Sequence, residues 1–176
     1  MDLDRYTVKS REALERAQRV ARDRSHQELR PEHLLAALLD EREGTVVAVL
    51  QKLGVNAASL ARASEAALGS LPRVQGGAAY LGADLRGVLD RAEDHAARLK
   101  DEFVSVEHLL MALADPAGAN GAQRALAGAG VTPDALLKAL ANARGGQRVT
   151  DDSPEDKFQA LSKYGRDLTA AARAGK

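Results

Sequence analysis

The chain repeats itself. Pro31-Glu32-His33-Leu34-Leu35-Ala36-Ala37-Leu38-Leu39-Asp40 recurs as Val106-Glu107-His108-Leu109-Leu110-Met111-Ala112-Leu113-Ala114-Asp115, 75 positions further on. The same displacement pairs Leu14 with Leu89, Arg16 with Arg91, Ala17 with Ala92 and Ala21 with Ala96. At 76 positions Leu50 pairs with Leu126, Gly54-Val55 with Gly130-Val131 and Leu60 with Leu136. Agreement through four successive segments marks a duplication. Two copies of this period are too few and too long for a solenoid of short units.

Each copy reads as four helices. In the first, Thr7 is placed to cap a helix whose Leu14, Ala17 and Ala21 recur at helical spacing. Pro31 opens a second with Leu34, Leu35, Leu38 and Leu39 as its stripe, and a third covers 45–53. Gly54 stops it, and Asn56 caps a fourth helix that ends near Leu68. In the second copy Leu85, Val88, Leu89, Ala92, Ala96 and Leu99 form the first stripe. Ser105 caps the next helix, a third lies around 122–129, and Thr132-Pro133 opens a last one ending near Asn142. Aromatic residues are only 3% of a chain that is 45% hydrophobic, so the core has to be built from Leu, Val and Ala. Alternation of period two is nearly absent, which predicts negligible sheet.

The predicted architecture is all-α: two pseudo-repeated four-helix motifs packed as one compact domain over 1–143, with repeats at about 1–70 and 78–143. Helices this short cannot bury an apolar face alone, so the two copies should dock. The connector 69–82, with Pro72, Gly76 and Gly77, is rich in turn residues. After it, Arg144-Gly145-Gly146 begins a second change of composition that runs through Ser153-Pro154 and reads as a hinge. Residues 144–176 are thus expected to be a linker, flexible or marginally helical, with a charged helix over 157–174.

Little in the chain points to chemistry. It has no cysteine, which excludes disulfides, thiolate metal sites and a cysteine nucleophile. His33 and His108 each follow a glutamate, but neighbours on a helix diverge by about 100°, and HExxH spacing is missing. A metal held by Glu32/His33 and Glu107/His108 is the weakest of the readings; packed, hydrogen-bonded histidines are the stronger one. His26 and His95 stand isolated, with no role assigned. GxSxG is absent, and Gly175-Lys176 does not complete a phosphate loop because position 170 is Ala. Twenty-five basic and 25 acidic residues balance, so no electrostatic case for nucleic acid exists, and the arginines among 11–24 read as a solvated, salt-bridged face. No apolar run approaches a membrane span, and the start lacks a signal peptide. No catalytic, cofactor or metal residue is therefore assigned, and the expectation is a non-catalytic module that binds polypeptides.

Particular residues carry a resemblance. Residues 7–21, Pro31-Glu32-His33-Leu34-Leu35, Leu71-Pro72-Arg73-Val74-Gln75-Gly76 and Glu107-His108-Leu109-Leu110 resemble the double N-terminal motif of the Clp AAA+ ATPases. Arg144-Gly145-Gly146-Gln147-Arg148-Val149, then Ala160-Leu161-Ser162-Lys163-Tyr164-Gly165-Arg166-Asp167-Leu168-Thr169, is similar to the junction that leads into the first ATPase ring of the disaggregase branch. The resemblance covers essentially the whole chain. It implies a cytoplasmic homohexameric chaperone that uses ATP and magnesium, works with a DnaK-type partner and threads aggregated polypeptides. This module, monomeric when isolated, would engage unfolded or aggregated clients and pass them to the ring. Thr7, Asp101 and Glu107 match the polar residues implicated in that binding; Thr7 reads equally as an N-cap, Asp101 as a loop charge and Glu107 as a favourable charge at the positive end of its helix. The alternative is an adaptor-docking domain of a Clp protease ATPase. Two positions depart from the family pattern: Arg30 stands where an Asp or Thr cap is usual, predicting a frayed helix start, and Gly82-Ala83-Asp84 stands where Ser is common.

Overall fold

The computed structural model describes residues 2–156. The first repeat holds helices α1 (Val8–Asp23), α2 (Pro31–Asp40), α3 (Thr45–Lys52) and α4 (Ala57–Gly69). The second holds α5 (Ala83–Arg98), α6 (Val106–Ala114), α7 (Gly121–Gly128) and α8 (Pro133–Arg144). The helix expected over 157–174 lies outside the described residues.

The duplication seen in sequence is reproduced in local geometry. Helices α1 and α5 have the same length at a displacement of 75, and α3 and α7 the same length at 76. The extra residue enters between α6 and α7, where a single 3-10 turn at Pro116–Gly118 has no counterpart in the first repeat. Each first helix unwinds through a non-glycine residue in the left-handed region, Ser25 (φ 59°) and its equivalent Lys100 (φ 58°). Each third helix stops at a left-handed glycine, Gly54 or Gly130, as the sequence predicts.

The repeats are laced together by short parallel pairings. Strand β1 (Glu28–Leu29) precedes α2 and pairs with β2 (Tyr80–Leu81), which precedes α5. A bridge between Tyr6, which precedes α1, and Val104, which precedes α6, is the mirror of this pairing. In both places the lead-in of one repeat's first helix is bonded to the lead-in of the other repeat's second helix. This cross-pairing is the small amount of sheet that helical periodicity did not reveal. Around it α1 packs on α2, α5 on α6, α4 on α7 and α3 on α6, so one apolar core runs through both halves. Leu34, Leu35 and Leu50 lie in it beside Leu109, Leu110 and Leu126, all fully buried.

The two departures noted in sequence both lie at helix starts. At α2 the Arg30 side chain caps nothing, but the Arg30 amide donates to His33 Nδ1 at 2.9 Å, the reach-back half of a capping box, and the His33 amide donates to the Arg30 carbonyl at 3.1 Å. Pro31 at the first helical position has no N–H to satisfy. At α5 the cap is Gly82, which has no side chain to offer the helix. The basic face of α1 finds most of its partners on other elements: Arg16 and Lys9 on Glu41, Arg24 on Glu65, and Arg11 on Asp152.

Candidate functional site

Thr7, Asp101 and Glu107 converge at the start of α6, and none of them faces solvent. Thr7 is fully buried, and its Oγ1 accepts from the Ser10 amide at 3.2 Å as the cap of α1. The same hydroxyl donates to Glu155 Oε1 at 2.7 Å. Asp101 follows the left-handed turn after α5, where its Oδ2 accepts from His108 Nε2 and from Arg144 Nη1, each at 2.7 Å. Its Oδ1 accepts from the Val149 amide at 2.8 Å. Glu107, in the first turn of α6, is forked by Arg144: Nε lies 2.9 Å from Oε2, and Nη2 bonds to the same oxygen.

His108 sets the geometry of this cluster. Its Nδ1 accepts from the Ser105 amide at 2.8 Å, which leaves the ring proton on Nε2, aimed at Asp101. Burial opposes the charge on Asp101, but the bonds from His108, the Val149 amide and Arg144 outweigh it and pull the carboxyl down to about 2. Glu155 is in the opposite position. Burial pushes its pKa up, against the Thr7 bond, and Oε2 has no hydrogen-bond partner among the described residues.

Every residue that satisfies this cluster from outside α1, α5 and α6 belongs to 144–156, the stretch that reads as a hinge. Its first part does carry two left-handed glycines, Gly145 (φ 56°) and Gly146 (φ 88°). Beyond them it lies against the body: Val149 is fully buried, its carbonyl accepts from the Glu102 amide, and the Asp152 carbonyl accepts from the Val8 amide at 2.8 Å. Arg144, Val149 and Glu155 were not legible as site residues. One signal was available for Val149, because Arg148-Val149 stands 75 positions after Arg73-Val74. The described part of the stretch is thus the second repeat's counterpart of the connector after α4, whose Val74 amide donates to the Ser25 carbonyl.

The first repeat carries a variant of the same cluster. His33 matches His108, but the position of Asp101 is taken by His26, whose Nδ1 lies 2.8 Å from His33 Nε2. With His33 Nδ1 accepting the Arg30 amide, His33 Nε2 is the donor and His26 Nδ1 the acceptor. Both rings are neutral in this arrangement: burial brings His33 down to about 4, aided by His26, and burial also lowers His26. Glu32 turns away from its histidine, accepting from the Gly121 amide at 3.0 Å and from Arg30 at 3.3 Å. In each repeat, then, the adjacent Glu and His point at different partners.

The second feature is open. A cleft of about 890 Å³ runs between α1, residues 74–81 and the lead-in to α2. Leu14, Ala21, Leu29 and Leu89 form its buried floor, and the half-exposed Leu3, Val74 and Tyr80 stand at its edges. Arg11, Glu15, Gln18 and Arg22 supply a mixed polar rim. Arg11 also reaches within 4.0 Å of Asp152, so the cleft and the docked stretch adjoin. No helix among the described residues is long and apolar enough to cross a membrane.

Residues 5–122 match the family described as the Clp repeat (R) N-terminal domain. The chain belongs to this family. Among Clp relatives, it is 40% identical to the chaperone protein ClpB of Bacillus cereus over the whole chain, which is 21% of that protein. It is 41% identical to ClpB of Corynebacterium diphtheriae over 97% of the chain and 20% of the relative. The chain therefore spans about a fifth of the length of the curated relatives it matches. The Clp fold is also shared with the Hsp104 N-terminal domain from Candida albicans, with a TM-score of 0.74 and 19% identity over 85% of this chain and 98% of that one. The N-domain of ClpV from Vibrio cholerae matches with a TM-score of 0.67 and 21% identity, covering 80% of this chain and 85% of its own. A ClpV N-domain has in addition been solved in complex with a VipB peptide.

Proposed function

We propose that this Clp N-terminal domain is the client-engaging module of an ATP-dependent disaggregase. It takes an exposed apolar segment of an unfolded or aggregated polypeptide and passes it toward a hexameric ATPase ring. In the full protein the ring supplies ATP and magnesium chemistry, a DnaK-type chaperone delivers clients, and the compartment is the cytoplasm. The observation that carries the reading is the open cleft between α1 and 74–81, with a leucine floor and the apolar side chains of Leu3, Val74 and Tyr80 at its edges. Similarity to ClpB over the full chain supports the disaggregase context, and a peptide complex of a ClpV N-domain supports peptide binding on this fold. Thr7, Asp101 and Glu107 belong to this reading as the polar groups matched to the family's client-binding residues.

A client covering roughly 400 Å² of apolar surface would gain on the order of 10 kcal/mol, and association costs of about 4–15 kcal/mol offset most of that. Weak binding is the expectation, made useful by six copies on one ring. The test is fluorescence anisotropy of a labelled, reduced and carboxymethylated protein titrated with this chain. Saturable binding at micromolar concentrations, weakened about fivefold by Tyr80→Ser with Val74→Ser, is expected. No binding at several hundred micromolar ends the reading.

A further inference from the structure

The body of this domain is finished by residues that are also its covalent exit. Arg144 ends α8 and sits over Asp101 and Glu107; Val149 plugs the turn after α5; Glu155 closes over Thr7 and the start of α6, where the Val106 amide donates to it at 3.3 Å. Between these anchors the chain is open to solvent, with residues 145–148, Thr150 and Asp152 exposed. Buried apolar side chains in the stretch number two, Val149 and Pro154. Its upstream end is the left-handed Gly145-Gly146 pair, a backbone that can be redirected without moving α8. One anchor is compromised in place: Glu155 is a buried carboxylate near Glu107, with one oxygen unbonded among the described residues. The equivalent connector in the first repeat cannot swing, because it runs straight into α5.

We infer that residues 145–156 form a releasable strap. Docked, the strap bonds Thr7 through Glu155 and Asp101 through the Val149 amide and holds the exit of the chain against the body, while Arg144 stays at the end of α8 over Asp101 and Glu107. Released, it frees the Thr7 hydroxyl and one oxygen of Asp101 and lets the tether reach up to ~40 Å from the end of α8, at ~3.4 Å per extended residue over 145–156. A partner that uses Thr7 or Asp101 has to displace the strap, so occupancy of these two residues and reach of the module are coupled. The strap goes beyond the client reading and does not depend on it.

Two measurements on the 176-residue chain decide the matter. The first needs no substitution. Native-state hydrogen exchange should show the amides of Val149 and Val8, which bond to Asp101 and to the Asp152 carbonyl, exchanging at least a hundredfold faster than that of Leu110 inside α6. Exchange of all three at one common rate means that the strap opens only when the whole domain unfolds, and overturns the inference. The second exploits the absence of cysteine. Spin labels at Arg19→Cys and Thr150→Cys should give one narrow distance by pulsed electron resonance. Val149→Asp, which leaves Arg144 in place and puts a charge where the strap's buried apolar anchor sits beside Asp101, should shift it to longer, broader distances with helical circular dichroism retained. A narrow distribution unmoved by Val149→Asp in the folded chain also overturns the inference.

Discussion

At the scale of single residues, the equivalent positions of the two repeats tell which features the backbone imposes and which the side chains choose. Ser25 and Lys100 both take left-handed φ values, so the turn after each first helix demands that conformation whatever residue stands there. An L-residue in that region costs about 1–2 kcal/mol. Lys100→Gly should therefore stabilise the domain by up to ~1 kcal/mol after the greater freedom of glycine in the unfolded chain is subtracted, seen as a higher urea midpoint. His26 and Asp101, also equivalent, are a choice. His33 has a pKa of about 4 in the folded chain against 6.5 when free, so between these values the unfolded chain binds more protons. The His33 contribution to stability is fully present above pH 6.5 and is lost as pH falls toward 4, by on the order of 3 kcal/mol. Asp101, pulled below its ordinary 3.8 to about 2, adds a further loss in that lower window. Replacing His26→Asp copies the second repeat's arrangement and gives His33 Nε2–H a carboxylate acceptor. Urea midpoints collected from pH 7 to 4 should then fall less steeply than those of the parent, and an unchanged slope would show that the histidine pair does not govern acid sensitivity.

Among the elements, the two equivalent helices α1 and α5 begin differently because their neighbours differ. Thr7 caps α1 and bonds Glu155, whereas at Gly82 a Cβ would stand 2.8 Å from the Leu29 carbonyl and 2.5 Å from Glu28 Oε1. The α5 start lies too close to β1 for any side chain. Gly82→Ala should cost about 1–3 kcal/mol through that overlap. Gly87→Ala, inside α5 with only the far end of Arg91 at 3.4 Å, should instead gain about 0.5–1 kcal/mol, the helix-interior value. Thermal denaturation of the two variants should move in opposite directions. Helices were the legible part of this protein, because Leu and Ala at period 3.6 report burial directly and Gly54 and Gly130 mark two ends. Close approaches such as that at Gly82 leave no periodic trace. The polar cluster was only half legible: Thr7, Asp101 and Glu107 were named by family resemblance, but Arg144, Val149 and Glu155 reach them from 37 to 148 positions away, out of a glycine-containing stretch with no periodic pattern. His26 reads as isolated in sequence, yet it bonds His33, because its meaning comes from being the equivalent of Asp101, a comparison between unlike residues that identity matching passes over.

For the molecule as a whole, the question is where the folding unit ends. Composition puts the boundary at residue 143, yet Arg144 neutralises two buried carboxylates of the body. Shortening the chain to 1–143 leaves Asp101 and Glu107 buried without their counter-ion, and removing one partner of such a set costs about 3–5 kcal/mol. Ending the chain at 156 keeps every contact described. Calorimetry should place the melting temperature of 1–143 roughly 10 °C or more below that of 1–156, by the usual few degrees per kcal/mol for a domain of this size. Equal melting temperatures would move the boundary back to α8.

The crossed pairings of Tyr6 with Val104 and of β1 with β2 mean that each half borrows its neighbour's edge to complete itself. Two separate, identical chains could make the same handshake, but they would have to carry the same residue on both sides of it. Fusion into a single polypeptide lifts that restriction. One side is free to hold a neutral histidine couple while the other hosts an ionic lock on the exit path, and a symmetric architecture thereby comes to perform two different tasks.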